Sequence, residues 1–264
     1  MEIAVYIVLI FFLNIIIKNK KLILSNTGFK HQSYINISTP LTGGIFILLP
    51  TFYLFLPTYY LFVFTFSVLF FLGLLSDLNI LESAKKRFLI QLIIILLFTF
   101  ISELEVTPTK IFFFDNFITN TYWSYLFTTF CLMILINGSN FIDGLNGLLL
   151  GYFFLVILIL FKLDLIYSLY VLEKNFFYFC LAILFVLILN INNKLFLGDN
   201  GAYSLSFLIG FLLIKIYNLN QFISPYFIIL LLWYPCFENL FSIIRKIING
   251  KNPLEPDTEH LHQK

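Results

Sequence analysis

Four short stretches of the chain place acidic, amide or histidine side chains at the edges of long apolar segments. They are, in chain order, LLSDLNILESAKKR (74–87), NGSNFIDGLNG (137–147), KLFLGDNG (194–201) and EPDTEHLHQ (255–263). A membrane protein rarely keeps carboxylates at membrane depth without using them. If the topology places all four stretches on one face, we expect them to form one charged site that can hold a metal ion against the bilayer.

The carboxylates in these stretches have two interpretations, helix capping and phosphate chemistry. Asp77, Asp143 and Asp199 each lie just before or after an apolar segment, where a single Asp commonly caps backbone N–H groups. Asp143 and Asp199 are also flanked by glycines and asparagines, which let a backbone approach a ligand, and N–H groups at a helix start suit phosphate oxygens. Because carboxylates repel a phosphate, we expect a divalent cation between them, and Mg²⁺ binds one or two carboxylates plus substrate phosphates.

Basic and histidine side chains accompany these carboxylates. The basic run 85–87 has two interpretations. It anchors the following helix at the membrane surface, or it binds a polyphosphate together with Asp77, from which it is separated by about two helical turns. His260 and His262 are fewer ligands than zinc usually needs, so recognition of phosphate or sugar is the better functional interpretation. His31 is interpreted as an ordinary loop residue.

The elements that must position these residues are apolar helices. The chain is 60% hydrophobic, 20% aromatic and only 11% charged, with a mean hydropathy of +0.96. These values lie outside the range of soluble domains and predict an all-α, polytopic integral membrane protein. About nine transmembrane helices are predicted, over residues 2–17, 43–56, 58–75, 88–102, 121–136, 146–162, 174–191, 202–217 and 222–244.

The basic residues predict an orientation with the N-terminus outside. The first apolar segment has no basic residues before it and lysines directly after it, which suits a retained first helix better than a cleaved signal peptide. The residues then placed inside are Lys18, Lys20, Lys21, Lys30, Lys85, Lys86, Arg87, Lys194, Arg245, Lys246, Lys251 and Lys264. Those placed outside are Lys110, Lys162, Lys174 and Lys215. Twelve against four is a clear positive-inside bias.

This orientation puts all four polar stretches on the cytoplasmic face. The chain is then one membrane-embedded domain, 1–264, with an active site built from cytoplasmic loops. The loops are predicted at about 18–42, 76–87, 137–147, 192–201 and 245–264.

The polar stretches resemble the motifs of the polyprenyl-phosphate N-acetylhexosamine-1-phosphate transferases, in glycosyltransferase family 4. NGSNFIDGLNG is similar to the family's Asn-x-x-Asn-x-x-Asp-Gly-x-(Asp/Asn)-Gly motif, FLGDNGAYSLSFLIG to its Gly-Asp-x-Gly segment, and TPLTGG (39–44) to its early Thr-Pro-x-x-Gly-Gly loop. SDLNILESAKKR resembles the family's Asp-Asp…Lys-x-Arg loop, with Ser76 in place of the first Asp. PDTEHLHQ resembles the His-x-His-His tail of the common-antigen and O-antigen branch, with Gln263 in place of the last His. The motifs follow the family's order, which makes their combination specific.

The resemblance implies a Mg²⁺-dependent enzyme of the bacterial cytoplasmic (inner) membrane, with Mn²⁺ as an alternative metal. The implied reaction transfers a sugar-1-phosphate from a UDP-N-acetylhexosamine to undecaprenyl phosphate, releases UMP and initiates a cell-envelope polysaccharide such as lipopolysaccharide O-antigen. The partners are those two substrates and the lipid bilayer, with no nucleic acid; a homodimer is one arrangement. The implied site residues are catalytic Asp77, Asp143 and Asp199, of which Asp199 and Asp143 bind the metal, and substrate-binding Asn140, Gly144, Asn146, Lys85, Arg87, His260 and His262.

Three alternatives stay open beside this interpretation. Acidic residues in a multispan protein also mark transport pathways, although these usually lie near the bilayer midplane, where the present spans are nearly free of charge. A catalytically silent membrane scaffold of the same family is suggested by Ser76. The phospho-MurNAc-pentapeptide translocase is disfavoured, because the tail resembles the sugar-nucleotide branch more closely.

Overall fold

A computed structural model describes residues 2–20, 39–106, 108–118, 121–169, 173–220 and 222–250. Every regular element within these ranges is helical, as the sequence predicts. The elements are α1 Glu2–Asn19, α2 Gly43–Phe55, α3 Tyr60–Asp77, α4 Ala84–Ile101, α5 Phe112–Ile118, α6 Thr121–Ile142, α7 Leu148–Lys162, a 3₁₀ turn Leu165–Ser168, α8 Glu173–Ile191, α9 Gly198–Leu219, α10 Pro225–Leu231 and α11 Trp233–Ile248.

Several of these helices have the length and hydropathy of membrane spans. Among the described residues, α3, α9 and the part of α6 from Tyr122 to Ile142 are each long and apolar enough to cross a bilayer. The pair α10 and α11 meets the same criterion only when taken together, and α2 and α7 are apolar but shorter. The protein is therefore membrane-embedded, while the number of crossings and the orientation stay predictions.

Helix α9 lies at the centre of the bundle and is buried along nearly its whole length. It packs most extensively against α3, and also against α6 and α2. Phe62 of α3 stacks on Phe211 of α9, with ring centroids 4.3 Å apart, and Phe98 of α4 meets Phe207 edge-on at 5.1 Å. These aromatic contacts hold α3 and α4 beside α9, and so align the helix ends that carry the polar stretches.

The described helices alternate between two ends of the bundle, and the polar stretches meet at one of them. Helices α3, α6 and α8 end there, and α4, α7 and α9 begin there, as the side-chain hydrogen bonds between their termini require. We call this the polar end. It contains the first three polar stretches, whereas 255–263, with His260 and His262, lies outside the described residues.

The last predicted span, 222–244, is wrong as a single helix. Helices α10 and α11 are bent by 78° relative to each other. Pro235 lies in the first turn of α11, has no N–H to donate to the carbonyl of Leu231, and would clash with that carbonyl in a straight helix. The carbonyl of Leu231 instead accepts a hydrogen bond of 2.8 Å from the hydroxyl of Tyr152.

Two helices extend further into the polar stretches than the sequence predicts. Helix α6 continues beyond its predicted span to Ile142, and α9 already begins at Gly198. Asn137 within the α6 extension is accommodated because its side-chain amide donates to the carbonyl of Met133, at 2.9 Å. Polar residues paired inside the protein therefore lengthen these helices past the end of the apolar run.

Gln91 carries a buried amide one helical turn after Arg87 in α4. Its side chain is 1% exposed, and neither its nitrogen nor its oxygen has a hydrogen-bond partner in the described part of the chain. An unpaired buried polar group costs about 1–3 kcal/mol. We expect Gln91→Met, which keeps the length of the side chain, to raise the thermal unfolding midpoint of the detergent-solubilised protein.

The control for this substitution is Gln91→Glu, which adds a charge at the same place and is expected to lower the midpoint. A lower midpoint for Gln91→Met would contradict the prediction, because it would mean that the amide is paired in the folded protein.

Candidate active site

Three helix ends bring one basic, one hydroxyl and one acidic side chain into contact at the polar end. Ser76 lies in the last turn of α3, Arg87 in the first turn of α4, and Asp199 in the first turn of α9. The guanidinium Nη1 of Arg87 donates to Ser76 Oγ at 2.6 Å, and Ser76 Oγ donates to Asp199 Oδ2 at 2.6 Å. The hydroxyl of Tyr203, one turn along α9, donates to the same Asp199 oxygen at 3.4 Å.

Asp77 caps the start of α9 from the end of a different helix. Its Oδ1 accepts the backbone N–H of Asp199 at 2.9 Å, and its Oδ2 accepts the backbone N–H of Asn200 at 3.0 Å and the side-chain amide of Asn200 at 2.5 Å. A carboxylate at a helix N-terminus satisfies backbone donors and interacts favourably with the helix dipole. The capping interpretation thus holds for Asp77, and two of the N–H groups expected to bind phosphate oxygens are already paired with it.

The close approach of Asp77 requires a glycine in front of α9. Gly198 has φ +78°, a left-handed backbone conformation that residues other than glycine rarely adopt. A Cβ at this position would lie 2.8 Å from Asp77 Oδ2. The Gly-Asp pair of the sequence motif therefore serves geometry as well as chemistry, because it allows the carboxylate of Asp77 to reach the first turn of α9.

The TPLTGG segment supports the same turn from the opposite side. Phe196 donates its N–H to the carbonyl of Pro40 at 2.8 Å, and Gly43 donates its N–H to the carbonyl of Phe196 at 3.0 Å. The side-chain amide of Asn200 also donates to the carbonyl of Leu41, at 3.2 Å. This segment, which resembles the family's early loop, is therefore part of the scaffold that fixes Asp199.

The NGSNFIDGLNG stretch forms a second group at the polar end. Asp143 follows α6 directly, is 9% exposed, and donates its N–H to the carbonyl of Ser139 at 3.1 Å. The N–H of Gly147 donates to the side-chain oxygen of Asn190 at 2.6 Å, and the Asn146 amide bonds to the Asn193 side chain. Gly147 is thereby attached to the last turn of α8, and Asn146 to the connection between α8 and α9.

The remaining predicted residues occupy more open positions. Lys85 is exposed in the first turn of α4, while Asn140 and Gly144 are half-buried beside Asp143. Asn200 and Tyr203 were not predicted as site residues. Asn200 has a signal in the sequence, because it stands between the glycines of the Gly-Asp-Asn-Gly motif; Tyr203 could only have been found from its spacing of one helical turn after Asp199.

Comparison with known proteins identifies the family of this chain. A model of glycosyl transferase family 4 matches residues 59–217, which include Ser76, Asp77, Arg87, Asp143 and Asp199. The chain belongs to glycosyltransferase family 4. The resemblance found in the sequence motifs is thereby confirmed.

Two curated proteins match much of the chain. One is a probable undecaprenyl-phosphate N-acetylglucosaminyl 1-phosphate transferase of Bacillus subtilis, 29% identical over 215 residues, covering 75% of this chain and 55% of that protein. The other is an undecaprenyl-phosphate alpha-N-acetylglucosaminyl 1-phosphate transferase of Thermotoga maritima, 26% identical over 196 residues, covering 74% of this chain and 57% of that protein. The chain spans just over half the length of these relatives.

Proposed function

We propose that the protein transfers a sugar-1-phosphate from a UDP-N-acetylhexosamine to undecaprenyl phosphate, giving undecaprenyl-diphosphate-sugar and UMP. The observation that carries the proposal is the family match across the residues that form the buried cluster around Asp199. Both matched relatives are named for N-acetylglucosaminyl 1-phosphate transfer to this lipid, so UDP-N-acetylglucosamine is the first donor to test.

The chemistry requires a site that binds two phosphorylated substrates at the membrane surface. An oxygen of the lipid phosphate attacks the phosphorus attached to the sugar, and the bond from that phosphorus to the bridging oxygen breaks, so that UMP keeps this oxygen. Positioning and charge stabilisation dominate the catalysis of such transfers. Arg87 and the exposed Lys85 carry the positive charges for phosphate oxygens. Asn140, Gly144 and Asn146 would hold the nucleotide, and His260 and His262 the phosphate or sugar.

The acidic groups of the site fit Mg²⁺ as the cofactor, with Mn²⁺ as the alternative. The cluster contains two carboxylates, Asp77 and Asp199, and Mg²⁺ needs one or two when substrate phosphates supply further oxygens. Asp77 Oδ1 and Oδ2 both accept hydrogen bonds from α9, so Asp199 is the better ligand, with Asp143 as the second. The cation would neutralise charge on the pyrophosphate and on the leaving UMP.

The proposal includes the topology that the sequence predicts. The protein would be a multi-pass protein of the bacterial inner membrane, with the polar end in the cytoplasm, where nucleotide sugars are made. The basic residues Lys85, Lys86 and Arg87 lie at this end, in agreement with the positive-inside rule.

The direct test measures UMP release by the full chain purified in detergent. The reactions contain undecaprenyl phosphate, Mg²⁺ and a panel of UDP-N-acetylhexosamines, with and without EDTA. We expect release that requires the lipid and is abolished by EDTA. Folded protein that releases no UMP with any donor would contradict the proposal and favour the membrane scaffold; release that EDTA leaves unchanged would contradict the metal dependence.

A further inference from the structure

Ser76 joins the basic and acidic groups of the candidate site. Its side chain is 7% exposed, and it forms hydrogen bonds of 2.6 Å with both Arg87 and Asp199. An arginine side chain has no acceptor, and an ionised carboxylate has no donor. The hydroxyl of Ser76 must therefore accept from Arg87 and give its one proton to Asp199.

These bonds determine how the Asp199 carboxylate is oriented. Asp77 holds the backbone of Asp199 through its N–H, so that rotation of the Asp199 side chain is the remaining freedom. Two hydroxyl groups, those of Ser76 and Tyr203, donate to the same oxygen, Oδ2. The Ser76 bond is the shorter of the two, at 2.6 Å against 3.4 Å, and its proton is polarised by the guanidinium behind it.

We propose that Ser76 is a positioning residue that holds the Asp199 carboxylate in the orientation in which it binds a divalent cation. The identity of that cation rests on the proposed function. Groups that hydrogen-bond a metal ligand change metal affinity by about 10–100-fold when they are removed. A hydroxyl suits this position because it can accept from Arg87 and donate to Asp199 at once, which neither a methyl group nor a carboxylate can do.

The test compares Ser76→Ala and Ser76→Thr in the full chain purified in detergent. Ser67→Ala is the matched control, because Ser67 lies in the same helix and its hydroxyl donates to the carbonyl of Val63, at 2.6 Å, away from the site. The probe is Mn²⁺ in the presence of UMP, and its dissociation constant is measured by electron paramagnetic resonance. We expect Ser76→Ala to weaken Mn²⁺ binding about 10–100-fold, and Ser76→Thr and Ser67→Ala to bind like the wild type.

The UMP assay supplies a second, separable readout. Ser76→Ala is expected to raise the Mg²⁺ concentration for half-maximal activity by the same factor, with most of kcat recovered at saturating Mg²⁺. The thermal midpoint without metal identifies any variant that has unfolded. If one of the two Ser76 variants has unfolded, the remaining folded variant is compared with Ser67→Ala and the wild type.

Three results would overturn the proposal. The first is that Ser76→Ala binds Mn²⁺ as tightly as Ser67→Ala, because the hydroxyl would then have no role in metal binding. The second is that folded Ser76→Thr, which keeps a hydroxyl, binds Mn²⁺ as weakly as Ser76→Ala. A wild-type protein that binds no Mn²⁺ overturns it as well. If the wild type binds Mn²⁺ but releases no UMP, the proposed reaction fails while the binding comparison still decides the role of Ser76.

Discussion

Asp199→Asn is expected to abolish UMP release while leaving the protein folded and inserted in the membrane. Asn keeps the size of the side chain and one oxygen that can accept the proton of Ser76, so the hydrogen bond between α3 and α9 can persist. The substitution removes the negative charge that the divalent cation needs. We expect a loss in kcat on the order of 10³-fold or more, comparable to or larger than the loss of one charge-stabilising group in other enzymes.

The matched control for this experiment is Asp164→Asn. Asp164 is exposed, and its φ of 56° is a left-handed conformation that Asn adopts readily. It lies after α7, at the opposite end of the bundle from Asp199. The control should keep wild-type UMP release and a wild-type thermal midpoint. Substantial activity in Asp199→Asn would rule out Asp199 as the metal ligand.

Gly73→Ala is expected to have a large effect on stability for the addition of a single methyl group. Helices α3 and α9 approach so closely at Gly73 that a Cβ there would lie 2.5 Å from the backbone nitrogen of Asn200 and from the carbonyl carbon of Asp199. Backbone atoms cannot move aside as a flexible side chain can, so the two helices must separate. We expect a destabilisation of about 3 kcal/mol, at the upper end of the cost of overpacking, together with loss of activity.

Gly151→Ala is the control because it adds the same methyl group inside α7. Among the residues that the structure describes, its Cβ would meet only one side-chain atom, Leu187 Cδ1, at an ordinary 3.9 Å. Alanine favours a helix over glycine by about 1 kcal/mol, so this variant should be neutral or slightly more stable. The measurement is the thermal midpoint of each variant in detergent. Equal midpoints for Gly73→Ala and Gly151→Ala would contradict the close packing of α3 on α9.

The difference between these two glycines illustrates what hydropathy leaves out. Both lie inside apolar helices, and no local pattern separates them. The distinction depends on which helix packs on each glycine, and that is decided by contacts between segments far apart in the chain, such as Gly73 and Asn200. The same holds for Pro235, which is visible in the sequence but interrupts a segment whose apolar length alone predicts one continuous span.

The sequence predicts which residues belong to the candidate site better than it predicts the hydrogen bonds between them. Asp77, Arg87 and Asp199 are acidic or basic residues at the edges of apolar runs, and their types and order already indicate phosphate chemistry. Their bonds were not predictable, because Asp77 and the N–H of Asp199 are separated by 122 positions in the chain. Helix capping is one of the two interpretations that the sequence offers for each Asp. That Asp77 caps α9, a helix far away in the chain, depends on how the helices pack.

The sequence by itself determined that this is an all-helical membrane protein of glycosyltransferase family 4, because apolar length and motif order are local properties of the chain. The tertiary structure alone decided that Ser76 lies between Arg87 and Asp199 and that Asp77 is occupied with the start of α9. The physical reason is that a hydrogen bond requires its partners within about 3 Å. Only the packing of α3 and α4 around α9 brings these side chains to that distance.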